Sequence, residues 1–314
     1  LSDPAIHGGA QVRRIDTHAS MIFLAGDTAL KLKRAVAYPY LDYSTLEKRA
    51  AACGAELRLN RRTAPGLYRG LRPIVVTDSG PGLGVLQPDG PDPAAADGEV
   101  VDWAVEMARF DEAGLLDRVA EAGQLDAATV DRLADAVAAF HAAAEPVAGG
   151  EADALAWVIG ENAEEFPHND TLFPPAEAEA LTQASRQALE GVRALLDRRA
   201  NGGHVKRCHG DLHLGNVVLI DGVPTLFDAV EFNRRIAEID TLYDLAFMLM
   251  DLERRGLAWA ANRLLNRYYR KRGDIDALAA LPLFLSLRAA IRAKVSASAL
   301  VAQTDPDARR RIAA

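Results

Sequence analysis

The chain has 314 residues, 49% hydrophobic and 25% charged, with a formal net charge of -8. That balance suits a globular protein with a large core and two domains or lobes, and the acidic surface argues against a nucleic-acid partner. No apolar run approaches the roughly 18 residues of a membrane span, and no basic-then-apolar segment follows Leu1, so neither a membrane anchor nor a signal peptide is expected. The two distant cysteines, Cys53 and Cys208, make no disulfide framework, which fits a reduced, cytoplasmic compartment. A start at Leu1 instead of Met reads as trimming or as the boundary of a shorter piece.

The first hundred residues read as mostly β with one helix. Gln11 to Ile15, Met21 to Ala25 and, after a Gly26-Asp27 turn, Ala29 to Lys33 are strand-like. Thr45 to Arg62 is a helix with Ser44 or Thr45 as N-cap. Leu71 to Thr77 and Val85 to Gln87 read as a hairpin around Ser79-Gly-Pro-Gly-Leu-Gly84. Pro88 to Gly98 is a loop, and Val100 to Met107 a further strand. After Phe110 the pattern turns helical: Val130, Leu133, Ala134, Val137, Phe140 and His141 repeat at i, i+3, i+4, i+7. Helical runs also cover Leu181 to Leu196, Leu242 to Leu252, Trp259 to Tyr269 and Leu281 to Leu300. A β island interrupts them: Val205 to Cys208, Val217 to Ile220, an Asp221-Gly222 turn, and Val223 to Phe227, with Pro224 on an edge. The expected organisation is α+β: residues 1–104 as a β-rich lobe, 105–110 as a hinge, and 111–314 as a mainly helical lobe.

The informative stretch is His209-Gly-Asp-Leu-His-Leu-Gly-Asn216, followed by Leu226-Phe-Asp228. Transfer of a phosphoryl group from ATP needs a divalent metal to neutralise the triphosphate. It also needs a carboxylate to orient the acceptor hydroxyl and take its proton. Asp211, Asn216 and Asp228 supply oxygen groups of this kind. The interval from Asp211 to Asn216 matches that between base and Asn in the kinase catalytic loop. The hairpin gives a geometric reason to group Asn216 with Asp228: one precedes its first strand, and the other ends its second. A three-residue turn would set them opposite each other; a two-residue turn offsets them by one.

These motifs resemble the aminoglycoside phosphotransferase family, a branch of the protein-kinase-like fold. Asp240-Thr-Leu-Tyr-Asp-Leu-Ala246 resembles the family's following helix, and Ala139-Phe140-His141 a helix ending that precedes its catalytic loop. Lys31-Leu-Lys-Arg34, Leu41 to Arg49 and Glu56 to Arg62 resemble an uncharacterised bacterial subgroup, often followed by a P-loop kinase domain. With no G-x-x-x-x-G-K-[ST], such a domain is expected to be absent here and fused in the full-length protein. The resemblance implies a two-lobed fold and a small-molecule kinase using ATP, or GTP, with Mg2+. It implies Asp211 as base and Asn216 and Asp228 as metal ligands. Lys31 would contact the phosphates, with Lys33 as the competing choice. Glu56 would be its helix partner, with Glu47 as runner-up. Thr17-His-Ala-Ser20 would be the turn over the phosphates, where exposed Thr17 and Ser20 replace glycine-loop contacts. Glu106, Met107 and Ala108 would meet adenine. His209, His213, Asp240 and Asp244 would support the catalytic loop.

Other groups read differently. His209 and His213 are too few for zinc, because the remaining histidines form no second cluster. Cys208 and the adjacent His209 would point to opposite faces of a strand. Gly80, Gly82 and Gly84 read as a hairpin turn, since no helix follows. Trp103, Trp157 and Trp259 read as packing residues, with Trp157 also a candidate for lining a substrate cleft. The expected reaction is phosphorylation of a hydroxyl on a small polyhydroxylated molecule such as a sugar or amino sugar. Asp111, Glu112, Asp117, Glu121, Glu161, Glu164, Glu165, Asp170 and Glu231 are candidate acceptor contacts. The competing readings are a nucleotide-binding regulatory module with little turnover and a protein kinase.

Overall fold

The structure, a computed structural model, describes residues 1–38, 40–78 and 80–302. Ser79, which the sequence sets at the head of the glycine-rich turn, lies outside them. The strands are β1 (Val12–Asp16), β2 (Ser20–Ala25), β3 (Thr28–Lys33), β4 (Ala37–Tyr38), β5 (Leu41–Asp42), β6 (Tyr68–Thr77), β7 (Gly80–Leu83), β8 (Glu99–Ala108), β9 (Val205–Arg207), β10 (Val217–Ile220), β11 (Val223–Leu226) and β12 (Glu238–Asp240). The α-helices are α1 (Leu46–Asn60), α2 (Leu116–Glu121), α3 (Ala127–Ala143), α4 (Glu151–Glu165), α5 (Pro175–Asn201), α6 (Arg234–Ala237), α7 (Thr241–Arg254), α8 (Ala258–Arg272) and α9 (Leu281–Ala302). Two compact units result: Leu1–Arg132 with Leu214–Ala237, and Leu133–His213 with the chain from Glu238. The first is β-rich and the second mainly helical, an α+β architecture.

In the first unit an antiparallel sheet runs in the order β1-β2-β3-β8-β6-β7. A tight turn pairs Ala25 with Thr28 and puts Gly26 at φ 56°, where a side chain would strain. Both faces of β3 are covered. Leu30 and Leu32 pack with Phe23 and Ala104 on one side, which leaves Lys31 and Lys33 on the other. Helix α1 starts at Thr45, whose hydroxyl accepts from the Lys48 amide. Its buried residues Arg49, Ala52, Cys53, Glu56, Leu57 and Asn60 follow helical spacing. Cys53 and Leu57 pack with Tyr68, Leu71, Trp103 and Val105 of the sheet, so a carboxylate and an amide ride into the core on an apolar helix face.

The structure corrects the hairpin expected at Val85 to Gln87. Thr77 pairs with Gly80, so the reversal is tighter, and Gly80–Leu83 form the returning strand. Residues 85–87 instead fold back over β6 through a single bridge between Gln87 and Leu71. Gly70 permits that approach, because a Cβ there would lie 2.6 Å from the Gln87 carbonyl oxygen. Strand β8 continues to Ala108, through the first residues of the expected hinge. In the β10–β11 hairpin Ile220 pairs with Val223, closing the two-residue turn, with Asp221 and Gly222 at φ 49° and 76°.

In the second unit β9 pairs with β12, not with the hairpin, so the expected β island is two separate ladders. Helix α7 is buried along almost its whole length. Helix α4 and strand β12 had no counterpart in the sequence reading. Trp103 is core, whereas Trp259 is 46% exposed, which corrects its assignment to packing. No helix among the described residues is long and apolar enough to cross a membrane.

Candidate active site

In the first unit, helix α1 and the segment after β11 converge on Lys31 of β3. Its Nζ lies 2.9 Å from Glu56 Oε1 and 2.5 Å from Asp228 Oδ1. Lys33, on the same strand face, pairs with Glu56 Oε2 and with Glu231 Oε1. The structure thus brings Glu56 to both lysines, one oxygen to each, while Glu47 is exposed on the first turn of α1. Burial alone would lower the pKa of each lysine. The Asp228 and Glu56 charges outweigh it for Lys31, and those of Glu231 and Glu56 for Lys33, so both are held above the usual lysine range.

Asp228 follows β11 with φ at 63°, a left-handed backbone uncommon for a residue with a side chain. Its neighbourhood is tethered. The Asp228 amide donates to the Tyr68 hydroxyl at 3.1 Å, and the Ala229 amide to Asn60 Oδ1 at 2.8 Å. Thr63 Oγ1 donates to the Leu226 carbonyl at 2.7 Å. Asn216 precedes β10, and its carbonyl accepts from the Phe227 amide at 3.0 Å, so Asp228 sits one residue past the position opposite it. Asn216 and Asp228 offer oxygen donors, the ligand type magnesium takes. Two lysines face three carboxylates here, and Asp228 is the most open of them, its side chain 40% exposed. The excess negative charge and the open oxygen fit a divalent cation.

Other expected positions behave differently. The Thr17 amide and hydroxyl both bond the Ser20 carbonyl, and the Thr17 hydroxyl also accepts from the Ser20 amide. Ser20 is buried, which corrects the expectation that it is exposed. Glu106 is buried against Arg72, at 2.6 Å, and pairs within the sheet with Leu30 and Gly70. Met107 lies between Ala29 and Tyr68. The Ala108 amide donates to the carbonyl of Leu67, just before β6, at 2.8 Å. Glu231 is buried with Lys33 and accepts from the Tyr43 hydroxyl at 2.6 Å, which removes it from the acceptor contacts. Of the other acceptor candidates, Glu112 pairs with Arg13, and Asp111 caps the turn that follows it. Asp117 and Glu121 lie on α2, also in the first unit. Glu161, Glu164, Glu165 and Asp170 lie on or after α4, in the second unit.

In the second unit the loop bearing Asp211 is held from beneath. Asp244 accepts from the amides of His209, at 3.1 Å, and Gly210, at 2.9 Å. Its carboxylate also bonds His141 Nε2 at 3.0 Å, and His141 Nδ1 meets the Tyr268 hydroxyl at 2.9 Å. Asp240 instead caps α7 through the Leu242 amide and takes a two-pronged contact from Arg199. His213 Nε2 lies 3.5 Å from the Asp211 carboxylate. Crowding by the protein raises the Asp211 carboxyl, but the His213 charge and hydrogen bond, with His209 and Arg288, hold it well below the usual carboxylate range. Arg288 reaches the Tyr243 and Gly210 carbonyls from α9. Among the described residues, His141, Cys208 and Asp244 are the one His/Cys/Asp/Glu group close enough to share a metal, and both nitrogens of that histidine are already bonded. Asn60, Tyr68, Tyr43 and Arg288 had no role in the sequence reading. Each is one polar residue with no pattern of its own, and only the fold shows its partners: Ala229, Asp228 and Glu231 for the first three in turn, and the Tyr243 and Gly210 carbonyls for Arg288.

The chain matches the phosphotransferase enzyme family over residues 83–281, well over half its length, and it belongs to that family. The matched span contains Asp211, Asn216 and Asp228. Uncharacterized proteins of Mycobacterium tuberculosis and Mycobacterium bovis are 29% identical over 285 residues, covering 89% of this chain. The chain spans about half the length of these curated relatives, 53%. Among solved structures, a glucosamine kinase is similar at 20% identity and a TM-score of 0.46, over 91% of this chain and 72% of that one. An ethanolamine kinase of Plasmodium vivax is similar at 11% and 0.48, over 96% and 80%. A choline/ethanolamine kinase family protein from Mesorhizobium loti stands at 14% and 0.43, over 92% and 79%.

Proposed function

We propose that the chain is an ATP- and magnesium-dependent kinase that phosphorylates a hydroxyl of a small, neutral or cationic, polyhydroxylated molecule. The observation that supports it best is the buried Lys31–Glu56 pair with Asp228 beside it. A buried ammonium presented by a carboxylate and next to an oxygen ligand suits a nucleoside triphosphate and its metal better than it suits a structural core. Bound magnesium would neutralise phosphate charge at Asn216 and Asp228. Lys31 Nζ would donate to the phosphate oxygens, and Glu56 would keep Lys31 in place. An Asp211 carboxylate oxygen would accept the proton of the acceptor hydroxyl, and Asp244 would hold the loop that presents it. The acidic net charge and the carboxylates on α2 and α4 favour an acceptor that is not an anion. A cytoplasmic location with its ATP supply fits this reading. Phosphorus NMR on protein, Mg-ATP and single candidate metabolites is the test. Transfer to a sugar or amino alcohol is expected; efficient transfer to an anionic acid, or to peptides alone, would overturn the acceptor class.

A further inference from the structure

We propose that Lys33, Glu231 and Tyr43 form a positioning unit that lets Lys31 leave Asp228 for the nucleotide without losing Glu56. The inference rests on the kinase reading above. Lys31 is shared between Glu56 and Asp228. A cation held at Asp228 would repel the Lys31 ammonium, and a phosphate group would attract it. If Glu56 had no other partner, its charge would rest on Lys31 alone while Lys31 turned to phosphate, leaving a carboxylate that is 0% exposed only half compensated. A buried charge without its partner is strongly unfavourable. Lys33 occupies the second oxygen of Glu56 and removes that obstacle. Lys33 is itself 2% exposed, and Glu56 alone cannot hold it if Glu56 must also serve Lys31. Glu231 supplies the second carboxylate, and the Tyr43 hydroxyl steadies it at 2.6 Å.

The same pair tethers the metal-bearing segment. Asp228 has a left-handed backbone, uncommon outside glycine though tolerated by Asp, and contacts on either side of it hold it there. Tyr68 and Asn60 hold the segment at residues 228 and 229. The Lys33–Glu231 pair fixes it three residues on, against β3, the strand that carries Lys31. Glu231 is therefore a positioning residue for Asp228.

Glu231→Gln keeps the shape and the bond to Tyr43 and removes only the charge. Tyr43→Phe removes only the hydroxyl. Binding of ATP is measured by calorimetry with magnesium and again with EDTA. Loss of a partner behind a metal ligand typically weakens metal-dependent binding about 10–100-fold. For Glu231→Gln that loss is expected with magnesium and a much smaller one in EDTA, with Tyr43→Phe following in the same direction by a smaller factor. Lys33→Arg is expected to bind Mg-ATP more tightly than Lys33→Met. Equal losses with and without metal, or Glu231→Gln binding within twofold of the wild type, would overturn the inference. A wild-type chain that binds no Mg-ATP would instead overturn the kinase reading, so the two failures are distinct. If Glu231→Gln does not fold, Tyr43→Phe decides alone: a selective loss with magnesium supports the unit, and no change overturns it.

Discussion

Asp211 and Lys31 should fail differently, because one acts on the acceptor and the other on the nucleotide. Asp211→Asn is expected to remove transfer, by the roughly 10²–10⁴-fold that general-base assistance contributes, and to leave nucleotide binding nearly intact. Full turnover by that variant would end the assignment. Lys31→Ala is expected to raise the Michaelis constant for ATP and lower turnover, with or without metal in the binding assay. A charge pair at about 4 Å is bounded near 4 kcal/mol at an effective dielectric of about 20, before solvent reduces it. Normal kinetics for Lys31→Ala beside a crippled Lys33→Ala would exchange the roles of the two lysines. The pH profile supplies a second handle on the base. The His213 charge and hydrogen bond pull the Asp211 pKa down against the effect of crowding, so the carboxylate is already ionised at neutral pH. His213→Asn removes that pull. The acid limb of activity should then move to higher pH, and an unmoved limb would show that His213 does not tune the base.

The hairpin that carries Asn216 and Asp228 was readable in the sequence because its turn chemistry is local. Asp221-Gly222 sits between apolar runs, and a two-residue turn of this kind needs both residues at positive φ. Gly222→Ala is expected to cost about 1 kcal/mol, through backbone strain alone, since a Cβ there meets nothing within 4 Å. Thermal unfolding reads this as a lower midpoint; an unchanged midpoint would mean that the turn relaxes. The alternating pattern likewise put Lys31 and Lys33 on one strand face, whereas Glu56 came from the family resemblance and its burial on α1 from the structure. What periodicity could not tell was that Glu56 would divide its oxygens between the two lysines, or that Glu231 would be buried in place of meeting an acceptor. Those partners lie 25 and 198 residues from their lysines, and such contacts leave no periodic trace. The glycine-rich run misled for a related reason. Gly80 and Gly82 look like a turn by composition, yet the reversal occurs before them, and Gly70, far away in sequence, makes room for the returning chain.

Folding stability should carry its own pH signature, set in the second unit. Glu151 begins α4 and is 1% exposed, and its Oε2 accepts from the Asp240 amide at 2.9 Å. Asp240 is held by Arg199, which also holds Asp274. Burial first, and then the negative charge of Asp240, push the Glu151 carboxyl up to about 8 from an ordinary 4.5. The native state therefore keeps a proton between those values that the unfolded chain releases. Its contribution is fully present below pH 4.5 and is lost as the pH rises through 8, with a slope of at most about 1.4 kcal/mol per pH unit for one proton. Glu151→Gln keeps an oxygen for the Asp240 amide and has no proton to lose. Its unfolding midpoint should match or fall slightly below that of the wild type at pH 5 and exceed it at pH 8, with the gap widening between. A gap that stays constant across that range, or reverses, would mean that Glu151 is ionised in the folded protein. Arg199 would then have to balance three buried carboxylates, Asp240, Asp274 and Glu151, instead of two.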